Sequence, residues 1–225
     1  MYKWFLFDLD GTLTNTKEGI INCLVYAFEG MGVDYGEREA LKRYIGPPLM
    51  ESFSNYFDQE GCVKAVELFR ERYETKGINE CELFGGIKEM LKAAKESGKM
   101  TALATSKPEK FAKMILENFG ILQYIDIVSG AIDDTTTKTD VINTALERAG
   151  IGESGKNTVL MVGDRKYDIE GANECGIDAV GVYYGFADPL ELERAGAKYV
   201  VNTVEELKEM VSSSSLDEID KYKVK

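Results

Sequence analysis

Short apolar runs alternate along the chain with segments whose apolar residues recur at helical spacing. Six apolar runs cover residues 4–7, 100–104, 125–128, 158–162, 179–183 and 199–201. Helical periodicity covers residues 86–97, 108–119, 139–149, 167–175 and 204–211. Continuous apolar strands separated by helices are typical of a parallel sheet that is covered on both faces. The alternation therefore predicts an α/β fold with a doubly wound, mostly parallel sheet.

One long segment interrupts this alternation between the first two strands. Asn15 and Glu18 match a capping box that would open a helix, and later apolar residues recur at helical spacing. The segment has no pattern typical of a strand, so we predict a small all-helical cap domain joined to the core by two chain crossings. The polar C-terminus is expected to be a frayed tail. This division assigns residues 1–14 and 84–212 to the core, 15–83 to the cap and 213–225 to the tail.

Charge and composition narrow the function. The chain of 225 residues has a net charge of -12, which disfavours binding to nucleic acid or to anionic membranes. An anionic substrate would then need a local site built from a cation, basic side chains and backbone amides. The sequence contains no histidine, which excludes Ser-His and Cys-His triads and histidine metal sites. Carboxylates, lysines and hydroxyls must carry any chemistry.

The cysteines and the apolar runs bear on the compartment. The four cysteines, Cys23, Cys62, Cys81 and Cys175, show no pair at metal-ligand or redox spacing, so we expect reduced thiols. No apolar run approaches the roughly 18 residues of a membrane span. The N-terminal apolar run is short and meets Asp8 at once. These features predict a cytoplasmic protein that is not bound to a membrane.

Two carboxylates, Asp8 and Asp10, follow the first predicted strand at positions i and i+2 and therefore point the same way. The carboxyl ends of parallel strands are where doubly wound sheets bind ligands. Two close carboxylates repel each other unless a cation or a proton lies between them, which is a physical reason to infer a magnesium ion. Taken alone, the motif is about as consistent with an ordinary Asp-Gly turn after a strand as with a metal-binding pair of carboxylates.

Three further strand ends carry polar groups. The second strand leads into Thr105 and Ser106 beside a new helix N-terminus, a combination that can bind phosphoryl oxygens. Lys138 follows the third strand, and Asp164 and Asp168 follow the fourth. Each has an ordinary explanation by itself, as a helix cap or a solvated lysine. An acid pair, a hydroxyl, a lysine and a second acid pair at four successive strand ends form a much more specific pattern.

With these residues the sequence resembles the haloacid dehalogenase-like hydrolase superfamily, and within it the phosphoglycolate phosphatase-like group. The resemblance covers nearly the whole chain, to about Val211. Its motifs correspond to residues 8–13, Thr105, Lys138 and residues 163–168, and residues 45–49 of the insert are similar to phosphoglycolate phosphatase-like and nucleotidase-like members. The chain departs from many relatives in having Thr139 rather than proline after Lys138, and Gly85-Gly86 where Pro-Gly is common.

The resemblance implies a magnesium-dependent phosphatase that acts on a small phosphorylated metabolite. Asp8 would attack phosphorus and form an aspartyl-phosphate, and Asp10 would serve as acid and then as base. The metal would be held by the Asp8 carboxylate, the Asp10 backbone carbonyl and Asp164. Asp168 would orient Lys138 or a metal-bound water.

The resemblance also assigns the residues that would hold the substrate. Lys138 and Thr105 would hold the phosphoryl oxygens, with the amides of Gly11 and Ser106 completing the cradle. Thr12 and Lys107 are further candidates for phosphate or substrate binding. In the insert, Arg43 is the candidate partner of a substrate carboxylate or second phosphate, because its planar guanidinium suits bidentate pairing.

Other activities remain open to different degrees. Asp10 argues against carbon-halogen cleavage, since a halide leaving group needs no proton. Phosphonate cleavage would need a Schiff-base lysine in the insert, and no lysine there is singled out. A sugar phosphomutase shares the core residues and ranks second, whereas a non-catalytic scaffold would be expected to have lost Asp8 or Asp10. Phosphoglycolate, a nucleoside monophosphate, pyrophosphate and a sugar phosphate all remain possible substrates, and the oligomeric state is not predicted.

Overall fold

A computed structural model describes residues 1–224 of the chain. Eight strands follow in chain order: β1 (Trp4–Phe7), β2 (Thr14–Asn15), β3 (Glu82–Leu83), β4 (Met100–Pro108), β5 (Ile127–Ala131), β6 (Val159–Gly163), β7 (Asp178–Val182) and β8 (Tyr199–Val201). Six of them form one parallel sheet in the order β5-β4-β1-β6-β7-β8. The strand β1 therefore lies at the centre, between β4 and β6.

Helices cover the sheet and build the insert. In chain order they are α1 (Lys17–Gly30), α2 (Leu49–Phe53), α3 (Gln59–Thr75), α4 (Ile87–Glu96), α5 (Glu109–Asn118), α6 (Lys138–Arg148), α7 (Lys166–Glu174), α8 (Glu191–Arg194), α9 (Val204–Ser212) and α10 (Leu216–Ile219). Two apolar clusters lie on opposite sides of the sheet, as the alternation of Phe5 and Phe7 with Leu6 between them shows. The predicted doubly wound α/β fold is confirmed.

Two strands of the sheet differ from their predicted limits by more than one residue. The strand β4 continues through Thr105 to Pro108, with an irregular register that accommodates the last residues. The strand β5 begins two residues later than predicted and includes Gly130 and Ala131. Both strands extend beyond the prediction at their carboxyl ends, where polar and small residues replace the apolar run. The apolar pattern therefore ends before the hydrogen-bonded strand does.

The insert forms a helical cap above the sheet, and α1 and α3 pack against each other within it. Aromatic rings fill its centre: the ring centroid of Phe28 lies 4.6 Å from that of Tyr56 and 5.5 Å from that of Phe53. The predicted capping box is wrong, because Thr16 occupies the N-cap position of α1 and makes no side-chain cap bond. Asn15 instead accepts a hydrogen bond from the Lys17 amide, at 3.2 Å.

A two-stranded antiparallel ribbon marks the place where the chain leaves and re-enters the core. Thr14 pairs with Leu83 and Asn15 with Glu82, so the two crossings are tied together by β2 and β3. The sequence pattern predicts no strand in this segment. Strands of two residues carry too little periodicity to be detected, yet this ribbon restricts how the cap can move relative to the core.

Residues 213–224 are folded against the core, and the predicted frayed tail is wrong for this part of the chain. The helix α10 buries Ile219, which is 1% exposed. The Val224 amide donates to the Lys198 carbonyl at 3.0 Å, which ties the tail to the segment before β8. The composition of this segment is mostly polar, so the sequence pattern does not indicate that Ile219 packs into the core. Within residues 1–224, no helix is both long and apolar enough to cross a bilayer.

Candidate active site

Four chain segments bring polar side chains to one edge of the sheet. Asp8 follows the central strand β1, Thr105 lies near the end of β4, and Asp164 directly follows β6. Lys138 is the first residue of α6, after the loop that follows β5. Because β4 and β6 are the two neighbours of β1, these residues meet although they are far apart in the chain.

Three carboxylates form a buried cluster at this edge. One oxygen from each of Asp8, Asp164 and Asp168 lies within 4.8 Å of the other two. The Lys138 Nζ lies 2.8 Å from Asp8 Oδ1 and 2.8 Å from Asp168 Oδ1, and it donates to the Ala104 carbonyl at 3.2 Å. Two of the three buried acids therefore share a single lysine, and a divalent cation would balance the remaining negative charge.

The pKa shifts in the cluster have the same origin. Burial raises the pKa of Asp164 well above its usual value, and the charges of Asp168 and Asp8 raise it further. Burial also raises the pKa of Asp168 to about 6, against the opposing effect of Lys138. Burial alone would lower the pKa of Lys138, but the charges of Asp168 and Asp8 raise it above its usual value. The lysine is thus a stable cation, whereas the carboxylates lack enough positive charge around them.

Close backbone packing places Asp164. A Cβ atom on Gly11, which has φ of +85°, would lie 2.1 Å from Asp164 Oδ2, and one on Gly185 would lie 2.4 Å from Asp164 Cβ. The Phe186 amide donates to Asp164 Oδ2 at 2.8 Å. Only glycine permits this approach of backbone to carboxylate. The strand β7 leads toward Gly185 and Phe186, which sequence reasoning missed. The signal in the sequence that could have indicated these two residues is a glycine shortly after a predicted strand.

Gly11 and Thr12 lie beneath the cluster rather than in the predicted phosphate cradle. The Gly11 amide donates to the Thr14 carbonyl at 2.7 Å, so it is not free for a phosphoryl oxygen. The Thr12 hydroxyl is fully buried and lies 3.4 Å from Asp164 Oδ1. Neither residue lines the cavity between the core and the cap. A group that binds phosphate would have to face that cavity. The contacts of Gly11 and Thr12 indicate instead that they support Asp164.

A cavity of about 460 Å³ lies between the core and the cap, beside Asp8 and Asp10. Its core wall includes Thr105 and Ser106, the two hydroxyl residues predicted to hold phosphate. The Thr105 Oγ1 accepts a hydrogen bond from the Lys107 amide at 3.3 Å, which leaves its hydroxyl proton free to be donated. The cap wall is largely aromatic and apolar, with members such as Ile20, Tyr44, Leu49, Phe69 and Tyr73. The cavity thus has a polar floor and an apolar roof.

A second buried lysine, Lys107, lies at the same edge. Its Nζ is 2.8 Å from Asp10 Oδ2 and donates to the Tyr73 hydroxyl at 2.9 Å. Asp10 Oδ1 is buried and makes no hydrogen bond within the described part of the chain. Lys107 lines the cavity, but its ammonium group is engaged by Asp10 and by the cap. The structure therefore brings Lys107 to the site with a partner that the sequence did not indicate.

The structure does not bring Arg43 together with the other predicted residues. Its guanidinium donates to the Tyr44 hydroxyl at 2.9 Å, and it does not line the cavity. A different cap cation, Arg70, does line it and pairs with Asp134 of the core. Arg70 lies on α3 three residues before Tyr73, a spacing that places both on one helix face. That spacing was a signal for Arg70 in the sequence.

The cap touches the core at a second point. The Arg165 guanidinium donates from Nη1 to the Ile45 carbonyl of the cap, and its Nε donates to Glu191 at 2.9 Å. A Cβ atom on Gly46, which has φ of +106°, would lie 3.0 Å from Arg165 Cγ. The Gly-Pro-Pro turn of the insert is therefore a contact surface for Arg165, a role that the sequence did not reveal.

A parallel α/β core with a helical cap and a buried acid cluster at the strand ends defines a capped hydrolase. The family model described as haloacid dehalogenase-like hydrolase matches residues 5–182, and the chain belongs to this family. The chain is 37% identical over 195 residues to a 5'-nucleotidase from Pseudomonas aeruginosa, covering 85% of this chain and 87% of that protein. It is also 33% identical to the tyrosine-protein kinase PtkA of Mycobacterium tuberculosis, covering 91% of this chain and 70% of that one.

A solved structure supports the same assignment. The crystal structure of a predicted phosphatase from Clostridium acetobutylicum superposes with a TM-score of 0.88 and 38% sequence identity. The match covers 94% of this chain and 98% of that chain, so it includes the cap as well as the core. The resemblance drawn from the motifs is confirmed at the level of the family and of the fold.

Proposed function

We propose that this chain is a magnesium-dependent phosphatase that hydrolyses a small phosphomonoester through an aspartyl-phosphate on Asp8. One observation carries the proposal: the Asp8 carboxylate lines the cavity while it shares Lys138 with Asp168 and lies beside Asp164. A nucleophilic carboxylate needs a fixed position and a phosphoryl group needs positive charge around it. The cluster supports both requirements. Relatives named phosphatase and 5'-nucleotidase agree with this assignment.

The buried acid cluster fits a magnesium site. Asp8, Asp164 and the backbone carbonyl of Asp10 would hold the ion, which would neutralise charge on the transferring phosphoryl group. The fit rests on three carboxylate oxygens within 4.8 Å of one another and a single lysine among them. Oxygen ligands of this kind are those that magnesium prefers.

The chain's own residues would carry the remaining steps. Lys138 holds Asp8 Oδ1 and so fixes the carboxylate for attack on phosphorus. Thr105 and Ser106 would hold phosphoryl oxygens, because both line the cavity beside Asp8. Asp10 would give a proton to the departing oxygen and then take one from the water that hydrolyses the aspartyl-phosphate. Asp168 would act through Lys138, which it holds at 2.8 Å.

The lining of the cavity indicates the class of substrate, and the cap is the part of the molecule that is expected to move. The aromatic cap wall suits the base of a nucleoside monophosphate, and Arg70 in the same wall suits the carboxylate of a phosphoglycolate-like ester, so we propose one of these two classes as the substrate. We propose that residues 15–83 form a cap domain, and that this domain opens by moving about the ribbon of β2 and β3. A net charge of -12 disfavours nucleic acid as a partner, and we expect the chain to act in the cytoplasm.

Phosphate release from a panel of phosphomonoesters tests the proposal. We expect turnover with magnesium, no turnover with a chelator, and recovery when magnesium is restored. An Asp8→Asn protein prepared in parallel controls for a contaminating phosphatase. Because one relative is a kinase, the panel should include ATP with a tyrosine-containing peptide. Transfer to that peptide without hydrolysis of any ester would overturn the proposal.

A further inference from the structure

Lys107 joins two parts of the molecule that the proposed reaction must bring together. Its Nζ is 2.8 Å from Asp10 Oδ2 of the core and 2.9 Å from the Tyr73 hydroxyl of the cap. The Lys107 and Asp10 side chains are only 7% and 14% exposed, so water screens the pair weakly. No other lysine within residues 1–224 contacts both Asp10 and the cap.

The cap holds its side of the contact rigidly. The Tyr73 ring stacks on Phe69 with a centroid distance of 5.9 Å and an interplanar angle of 9°. It also meets Phe111 of the core edge-on, at 5.5 Å. The Lys107 Nζ lies 4.7 Å from the centre of the Tyr73 ring, so the ring face as well as the hydroxyl stabilises the ammonium group.

The two oxygens of Asp10 have different environments. Oδ2 is held by Lys107, whereas Oδ1 is buried, has no hydrogen-bond partner among the described residues, and belongs to a side chain that lines the cavity. A buried polar oxygen without a partner is uncommon and calls for an explanation. A substrate oxygen in the cavity would supply that partner. The lysine thus fixes one oxygen of the carboxyl group and leaves the other for the substrate.

We propose that Lys107 and Tyr73 are positioning residues that hold Asp10 in the orientation for proton transfer only while the cap is closed. This inference rests on the proposed function and adds to it a link between cap closure and proton transfer. Lys107 lies in β4 of the core and Tyr73 in α3 of the cap, so the hydrogen bond between them exists only when the two parts meet. Lys107 therefore acts on Asp10 and does not bind phosphate, the role that the sequence suggested.

The leaving group distinguishes this role from a merely structural one. An alkoxide needs a proton as it departs, whereas nitrophenolate is stable without one. The kcat/KM value reports steps up to the first irreversible one, so it is sensitive to proton donation and not to the later hydrolysis of the aspartyl-phosphate. A loss of positioning should therefore reduce kcat/KM for an alkyl phosphate much more than for p-nitrophenyl phosphate. General damage to the fold would reduce both alike.

The experiment compares glycerol 3-phosphate with p-nitrophenyl phosphate in the wild type, Tyr73→Phe and Lys107→Met, with magnesium present. Tyr73→Phe keeps the aromatic ring and removes only the hydroxyl, so it remains informative if Lys107→Met fails to fold. General acid catalysis contributes about 10²- to 10⁴-fold, and we expect each variant to lose at least about tenfold more activity on the alkyl ester than on the aryl ester.

Tyr26→Phe is the matched control. Its hydroxyl donates to Glu71 at 2.9 Å on the outer side of the cap, away from the cavity, so both rates should be unchanged. Equal losses on the two esters in Tyr73→Phe and Lys107→Met would overturn the positioning role while leaving the proposed function intact. A wild type that hydrolyses neither ester would overturn the proposed function, and the positioning role with it. A selective loss in Lys107→Met alone would overturn the part assigned to the cap.

Discussion

Behind the core wall of the cavity lies a buried cluster of charges, whereas the cap wall is mostly aromatic and apolar. On the core side Asp8 and Asp168 share Lys138 and lie beside Asp164, and each of these residues is at most 9% exposed. On the cap side, Phe69 and Tyr73 line the cavity, and Arg70 is the one basic side chain of that wall among residues 1–224. The phosphoryl group is common to all phosphomonoesters and the leaving group varies. The core should therefore set the reaction and the cap should set the choice of ester.

The two walls also differ in how they are held. The core residues extend from neighbouring strands of one sheet, whose hydrogen bonds and close glycine contacts fix them. The cap is joined by two short crossings and touches the core through a few polar contacts, such as Arg165 with the Ile45 carbonyl. Substitutions of Asp8, Asp164 or Lys138 should act on every ester alike. Those on the cap wall should act on some esters more than on others.

The largest effect is expected for Asp8→Asn. The amide is nearly isosteric but is not a nucleophile, so turnover should fall at least about a thousandfold on every ester. Phosphate release with saturating magnesium measures this loss, and circular dichroism checks that the fold is kept. Turnover at the wild-type level would mean that Asp8 does not attack phosphorus. A loss confined to one ester would mean that the core wall does not act on all esters alike.

The next largest effect is expected for Lys138→Met. The substitution leaves Asp8 and Asp168 buried without their shared cation, so turnover should fall by about 10²- to 10³-fold and the free energy of unfolding by about 3–5 kcal/mol. Urea unfolding with and without magnesium measures the second part. Magnesium should restore some stability, because it can replace part of the missing positive charge. Lys113→Met on α5, whose lysine pairs with Glu109 on the surface, is the matched control.

A smaller effect is expected for Asp164→Asn. Loss of one negative ligand should raise the magnesium concentration for half-maximal activity at least about tenfold, with less change at saturating metal. A titration of activity against magnesium measures it for two different esters. The shift should be the same for both, because Asp164 does not contact the variable leaving group. An unchanged magnesium requirement would remove Asp164 from the proposed site.

The same variant should respond to pH when magnesium is removed. Burial and neighbouring acids raise the pKa of Asp164, so the folded state binds its proton more tightly than the unfolded state does. A raised pKa makes the contribution to stability greatest at low pH and reduces it as pH rises through the folded value. Asp164→Asn should thus be more stable than the wild type at neutral pH, and this advantage should shrink as pH falls toward 4. Urea unfolding at a series of pH values measures it.

The core wall could be predicted from the sequence much better than the cap wall. Asp8 and Asp164 each directly follow an apolar strand, and parallel strands place their carboxyl ends at one edge, so local pattern is enough to bring these two residues together. What the sequence did not reveal there is close packing. Gly185 and Phe186 contact Asp164 because of how loops fold over the sheet edge, and no periodicity records that contact.

The cap could be predicted as helical but not in its orientation. Helical spacing identified the face that carries Phe69 and Tyr73, yet which residues meet the core depends on how the whole cap is placed. The chemistry of its guanidinium favours Arg43 as a substrate partner, but in the structure that group donates to the Tyr44 and Tyr56 hydroxyls and does not line the cavity. The partner of Lys107 was unpredictable for the same reason, because Tyr73 reaches it only across the interface between cap and core.

The smallest effects, and the sharpest test of the cap wall, are expected from its two arginines. Arg70 lines the cavity and its pair with Asp134 is about half exposed, so it can turn toward a substrate at little cost. Arg70→Ala should raise KM severalfold for an ester whose leaving group carries a carboxylate, with little change for p-nitrophenyl phosphate. Arg43→Ala should change kcat/KM less than about twofold for both, because its guanidinium faces Tyr44 and Tyr56. If Arg43→Ala gave the larger loss on the carboxylate ester, the cap would have to rearrange when the substrate binds. The residues that line the cavity in the closed arrangement would then not be the ones that contact the substrate.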